Sequence, residues 1–331
     1  MKKIVLLNFF FIILFFILLE MGSFCLTVRE LSINEKNIGI LKRYRGGNIF
    51  ESVLKTYSQT PFLSYEATKD KLRPIKGKEW SNKPIFLFGC SVTYGNLLDD
   101  ENNFSGILSK ISHRPVYNMA YDGWGPAHML KLLKDNKKIF FAGEPEYIIY
   151  TFIKDHKRRV LSFQGWPYSS QLYKIYDVDK NGDLIEVPRK YPFYWRLLSV
   201  KNFQVLLERL ALKNEEYVDK LLFKIFEESV SVIKTRYPNS KLILLLYDVR
   251  ICLNNKDVEL SKKLDILTEK ELNKFKELGF EVWNIEEISG KTFCGEEYHA
   301  RCPIYGDVDY NHPSSKMWEE FTPKLVETLK L

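Results

Sequence analysis

The hydrophobic positions of this chain gather into short runs separated by longer amphipathic segments. Ile85–Phe88, Val116–Met119, Glu146–Phe152 (EYIIYTF), Lys241–Tyr247 (KLILLLY) and Phe280–Ile285 are dominated by consecutive apolar residues. That pattern predicts strands buried on both faces of a parallel sheet. Between them, Asp99–Ile111, Ala127–Asn136, Glu215–Tyr237 and Val258–Leu278 read as helices. The third of these sets Val218, Leu221, Leu222, Ile225 and Phe226 on one face. Gly279 stands where the last would be C-capped, and a further amphipathic segment, Trp318–Leu329, ends the chain. Strands alternating with helices of this length require right-handed crossovers, so the expected architecture is a three-layer α/β/α sandwich around a mostly parallel sheet.

Two regions depart from the alternation. Residues 162–214 are rich in Tyr, Trp and Pro, and Asp179-Lys180-Asn181-Gly182-Asp183 between KIYDV and LIEV is a hairpin signal. This region reads as an insertion over the main domain, its aromatics suited either to stacking on sugar rings or to plain packing. At the start, Lys2 and Lys3 precede an uncharged run from Ile4 to Leu19, and a further apolar run ends at Leu26. The whole exceeds the ~20 residues that cross a bilayer, and the Lys pair favours an N-terminus inside. Residues 1–26 are therefore expected to be a transmembrane anchor holding an extracytoplasmic domain, with 27–82 as stalk and lead-in and 83–331 as the main domain. A cleaved signal peptide is the competing reading, against which Ser23 and Cys25 make a poor cleavage site. Glu20 within this stretch has no explanation.

Composition narrows the function classes. The 331 residues are 45% hydrophobic, ample for one large core. The net charge of +7 comes from dispersed lysines without an Arg-rich, aromatic-interleaved stripe, which argues against a nucleic-acid partner. Of the five cysteines, Cys294 and Cys302 could pair outside the cytoplasm or remain two free loop thiols. His128 has no partner at metal-ligand spacing, so no metal is expected.

Candidate chemistry starts at Phe86–Gly95, FLFGCSVTYG. Ser91 follows a buried strand, where its hydroxyl would stand above the carboxyl edge of the sheet and nearby N–H groups could face an oxyanion. Gly89 would permit the tight exit and Gly95 a close approach of the following helix. Far along the chain, Asp309-Tyr310-Asn311-His312-Pro313, a D-x-x-H stretch, reads as a loop before the last helix. Its His could act as base with its Asp as orienting group. After the third strand comes a polar cluster, Lys154 to Arg159. Asp155 and His156 are expected at the rim of the site, with Asp155 paired to Arg158 or Arg159 and the three basic residues otherwise a solvated charge run.

This layout resembles the SGNH (GDSL-like) hydrolase family from about Lys83 to the C-terminus. Gly89-Cys90-Ser91 is similar to that family's first block, with Cys90 in place of Asp. Tyr117–Gly125 resembles the second, with Gly123 at the oxyanion glycine, and Asp309 and His312 match the fifth. The third block, G-x-N-D, is absent; its nearest counterpart is Tyr150–His156, which lacks the oxyanion Asn. The resemblance implies an SGNH/flavodoxin-like fold and serine esterase or acyltransferase activity without a cofactor. Ser91, His312 and Asp309 would be catalytic, the Ser91 and Gly123 N–H groups would form the oxyanion hole, and His156 would be the polar group nearest the missing Asn. An acylated glycan of the cell envelope is the expected substrate. A catalytically silent domain serving glycan binding or envelope assembly is the alternative.

Overall fold

A computed structural model describes residues 83–121, 123–135, 143–160, 174–188, 215–247, 266–293, 295–301 and 308–331. The expected anchor, the stalk, most of the 162–214 insertion and the Cys294–Cys302 pair lie outside the described residues. Among the described residues no helix is long and apolar enough to cross a membrane.

The elements in order are β1 (Ile85–Phe88), α1 (Ser91–Tyr94), α2 (Phe104–Ser112), β2 (Val116–Asn118), α3 (Pro126–Asp135), β3 (Tyr147–Phe152), α4 (Asp155–Arg159), β4 (Lys174–Val178), β5 (Leu184–Pro188), α5 (Glu215–Arg236), β6 (Lys241–Leu246), α6 (Glu269–Glu277), β7 (Phe280–Asn284), α7 (Ile285–Ser289), β8 (His299–Arg301), β9 (Val308–Pro313) and α8 (Ser315–Leu329). Five strands form one sheet in the order β2-β1-β3-β6-β7, and every pair in it is parallel. The apolar runs supply both faces by simple alternation. Phe86, Phe88, Ile148, Tyr150, Phe152, Leu242, Leu244 and Leu246 enter one core with residues of α3, α5 and α6. Ile85, Leu87, Tyr147, Ile149, Ile243 and Leu245 enter the other, with residues of α2, α7 and α8. The result is the expected α/β/α layering.

The differences from the expected elements are local and have visible causes. The helix after β1 starts at Phe104 rather than Asp99, because Asp99 Oδ1 accepts from the Glu101 and Asn102 N–H groups and holds a turn. Asn103 then caps the helix by accepting from Gly106 N–H at 3.0 Å. The described part of the fourth expected helix, α6, begins behind a capping box of Thr268 and Glu271. The hairpin forms as expected, with Asp179 Oδ1 accepting from the Asn181 and Asp183 N–H groups. Its Tyr176 is buried in the first core, so this insertion aromatic packs instead of meeting solvent.

The three basic residues after His156 are not all solvated. Residues 155–159 fold as α4, and Lys157 and Arg159 are engaged. Lys157 forms ion pairs with Glu271 of α6 and, at 3.0 Å, with Asp219 of α5, which stitches three helices together. Arg159 is 8% exposed. Lone charges are almost never buried to that extent, so its partners matter.

Candidate active site

The chain leaves β1 through Gly89, where a Cβ would lie 2.2 Å from Thr93 Oγ1. Only glycine lets the first turn of α1 fold back this closely. Cys90 is the N-cap residue of α1 and Ser91 its first residue, 6% exposed. Gly95 ends the helix in the left-handed region, and a Cβ there would meet Asn103 Cβ at 2.4 Å, so α2 does approach this glycine closely. In the strand order, β1 and β3 are neighbours whose following strands lie on opposite sides. Open α/β sheets bind ligands in the crevice at such a point, beyond the carboxyl ends of the strands. Ser91 stands there.

The segment after β2 forms one wall. Asn118 donates through Nδ2 to Thr93 O at 3.0 Å and to Ser105 Oγ at 3.3 Å, and its Oδ1 accepts from Ala120 N–H. One side chain thus ties α1, α2 and the loop that follows β2. That loop turns at Tyr121–Trp124, closed by Trp124 N–H to Tyr121 O at 3.1 Å, with Gly123 at φ +74°. A positive φ at the third position is what a type II turn demands of a glycine. Within the described residues, neither the Ser91 nor the Gly123 N–H is spent on a hydrogen bond.

The next peptide is held at both ends. Gly125 N–H donates to His128 Nδ1 at 3.2 Å, and Trp124 O accepts from Arg159 Nη1 at 2.6 Å. His128 is buried and stacks on Trp124, with centroids 5.4 Å apart. A Cβ on Gly125 would lie 3.0 Å from Arg159 Cβ. Gly123-Trp124-Gly125 therefore has two glycines for two reasons, a turn and the passage of an arginine.

Arg159 continues from α4 to Asp155, donating through Nε at 2.7 Å, which is one of the two pairings the sequence suggested for that Asp. The same guanidinium is near enough to the Cys90 thiol for its charge to act on it. Burial pushes the Cys90 thiol up, with Arg159 pulling the other way. Burial also works against the charge on Arg159, but Cys90 and Asp155 outweigh it and the arginine pKa is raised. The guanidinium thus joins α4 to the loop that follows β2.

His156 is fully buried beneath this cluster, edge-to-face with Tyr150 and Phe152. Its Nδ1 faces Tyr150 Oη at 3.1 Å and Ile153 N–H at 3.4 Å. With two donors converging on Nδ1, the neutral ring carries its proton on Nε2. Burial first, then the neighbouring Arg159 and His128, hold its pKa well below the ordinary histidine value. The unfolded chain takes up a proton below about pH 6.5 that the folded ring refuses. The stability in question is therefore present above that pH and lost as pH falls toward the depressed folded value. A loss of about 1 kcal/mol from this one group is expected between pH 6.5 and 5.5, the slope rising toward about 1.4 kcal/mol per pH unit as the unfolded imidazole becomes fully protonated. Urea midpoints at both pH values test this, and His156→Phe should flatten the difference by about one proton's worth.

The remaining candidates come from the far end of the chain. β9 pairs antiparallel with β8, Ala300 opposite Asp309 and His299 opposite Pro313, so the register jumps across residues 310–312. The D-x-x-H stretch, which the sequence presented as a loop, is a bulged strand, and bulges of this kind re-aim side chains beside functional sites. His312 is half-buried, while the Asp309 side chain lies outside the described residues. Pro313 leads directly to Ser314, which caps α8 by accepting from Met317 N–H and itself donates to Glu297 O at 2.6 Å. α1 and β9 approach within 8 Å, Cα to Cα. Two segments over two hundred residues apart in sequence thus meet at the crevice.

No protein-family model and no curated protein sequence matches the chain. Solved structures of similar fold include an acetyl xylan esterase from Butyrivibrio proteoclasticus, 12% identical over 76% of this chain, with a TM-score of 0.41. Another is a family two carbohydrate esterase from Clostridium thermocellum in complex with cellohexaose, 10% identical over 75% of this chain, with a TM-score of 0.38. The chain spans 64% of the length of each of these two. It covers 98% of a third, TesA, with 75% of its own length, 11% identity and a TM-score of 0.40.

Sequence reasoning passed over two residues that build this site. Asn118 is a polar residue ending a buried strand, an uncommon place for an amide without partners, and that was a usable signal. Arg159 stood in a run of basic residues, where the sequence suggested only a pairing with Asp155 and not its reach to Trp124 O.

Proposed function

We propose that this protein is a serine-dependent esterase or acyltransferase acting on ester-linked acyl groups, acetyl in particular, of cell-envelope glycans. In this reading Ser91 Oγ attacks the ester carbonyl while His312 takes its proton, with Asp309 orienting the imidazole. The Ser91 and Gly123 N–H groups receive the oxyanion. Collapse returns the proton to the leaving sugar oxygen and leaves an acyl-Ser91, which water or a second hydroxyl then attacks. The reading rests on one observation above the others: Ser91 begins a helix at the switch point of the sheet, its own N–H unspent among the described residues, against the strand that carries His312. Tyr94 and Tyr121, half-buried and edge-to-face at 5.2 Å on the segments flanking Ser91, support a sugar-bearing substrate. The apolar first 26 residues support tethering to a membrane with the domain outside the cytoplasm.

A fluorophosphonate probe, followed by peptide mapping, tests the nucleophile. Labelling of Ser91, together with acetate release from an acetylated polysaccharide, is the expected result. A folded protein that takes no label and releases no acetate would make this a silent glycan-binding domain.

A further inference from the structure

The family that this chain resembles has an asparagine in its third block, and this chain has none there. What it has instead is Arg159, four residues beyond Asp155, reaching back under the crevice. The side chain is 7% exposed and makes two short charge-assisted contacts, Nη1 to Trp124 O at 2.6 Å and Nε to Asp155 Oδ2 at 2.7 Å. Its stem fills the space that Gly125 leaves open, with Cβ 3.0 Å from where a glycine side chain would begin. The Trp124–Gly125 peptide is thereby fixed from its carbonyl side by Arg159 and from its N–H side by His128. Gly123 lies one residue before that peptide, in the turn closed by Trp124 N–H to Tyr121 O.

We infer that Arg159 is a positioning residue for the proposed acyl-transfer site, a buried clamp that holds the Gly123 turn at a fixed distance and angle from the Ser91 helix. The inference rests on the function proposed above. The physical case is that an oxyanion donor contributes only when it is placed before the charge develops. Gly123 and Gly125, on either side of Trp124, have no side chains to hold their peptides, so the backbone itself must be gripped. A guanidinium suits the task because its planar fork grips a carbonyl and a carboxylate at once, which an ammonium on a flexible stem does less well.

The test is kinetic, with aryl acetate as substrate and the fluorophosphonate as a second reporter, on Arg159→Met and Arg159→Lys proteins whose folding is checked by thermal melting. Misplacing a catalytic group by about 1 Å costs on the order of 10²-fold. The expected result for Arg159→Met is a kcat and a labelling rate down by about that factor with KM little changed. Arg159→Lys should fall between Met and wild type, and added guanidinium should restore part of the Met variant's rate. Wild-type kcat and labelling in Arg159→Met would overturn the inference. So would a loss that neither lysine nor guanidinium rescues and that tracks the melting temperature alone. If wild type itself proves unreactive, the proposed function fails separately. Hydrogen exchange at the Trp124 and Gly125 amides then decides the clamp: faster exchange in Arg159→Met upholds it, and unchanged exchange overturns it.

Discussion

Ser91→Ala should reduce turnover of an aryl acetate by a factor on the order of 10⁶, leaving only the residual rate that oriented N–H groups and substrate binding can supply. KM should change little, because the hydroxyl does its work in the transition state and not in holding the ester. His312→Ala should cost about as much. The informative measurement is the double variant. A nucleophile and its base act as one unit, so Ser91→Ala/His312→Ala should be no slower than either single variant. Asp309→Asn should lose less, about 10⁴, since it disturbs the tautomer of the base without removing it. Multiplicative losses in the double variant would mean that the two side chains act independently, and the pairing of α1 with β9 would then be architecture alone. A Ser91→Ala protein that keeps substantial turnover would place the chemistry at another residue.

How much of this could be read without coordinates differs by element. The sheet was legible almost completely. A strand that is buried on both faces writes itself as an unbroken apolar run, and β1, β3 and β6 do so with charge only at their margins. The helices were legible as faces but not as ends. The start of α2 was decided by Asp99 and Asn103, two side chains competing for nearby N–H groups, and periodicity carries no trace of that competition. The D-x-x-H stretch looked like a loop because its partner, β8, is only three residues long and is joined through a register shift.

The site was legible where chemistry needs a particular residue type beside a structural landmark, as with Ser91 after β1 and Gly123 in its turn. It was illegible where function depends on what a side chain reaches. Arg159 and Lys157 look alike in sequence, two cations in a basic run. One clamps a carbonyl of the candidate oxyanion turn and the other stitches helices at the periphery. His156 illustrates the same limit from the other side. Its place after β3 in the sequence put it at the rim, but the structure buries it fully among aromatic rings.

The second large effect is on stability, at Trp318. This side chain is fully buried in the first turns of α8, stacked on Phe104 with centroids 4.5 Å apart and planes 17° from parallel. Phe321 and Tyr247 complete its surroundings at 6.1 and 6.4 Å. It joins α8 to α2 across the core on that face of the sheet, beside the contact of Phe321 with Phe104. Trp318→Ala should destabilise by about 3–5 kcal/mol, through lost transfer energy and a cavity that aromatic neighbours cannot close. In a domain of this size that lowers the melting temperature by roughly 10 °C. Trp318→Phe separates packing from polarity. The indole Nε1 has no hydrogen-bond partner among the described residues, so the native tryptophan already bears the cost of an unsatisfied donor. Phenylalanine keeps most of the stacking and removes that donor, and its cost should stay below about 1.5 kcal/mol. Calorimetry on the two variants checks the difference. Equal losses would mean that the indole N–H is in fact satisfied and that its polarity, more than its volume, holds the two helices together.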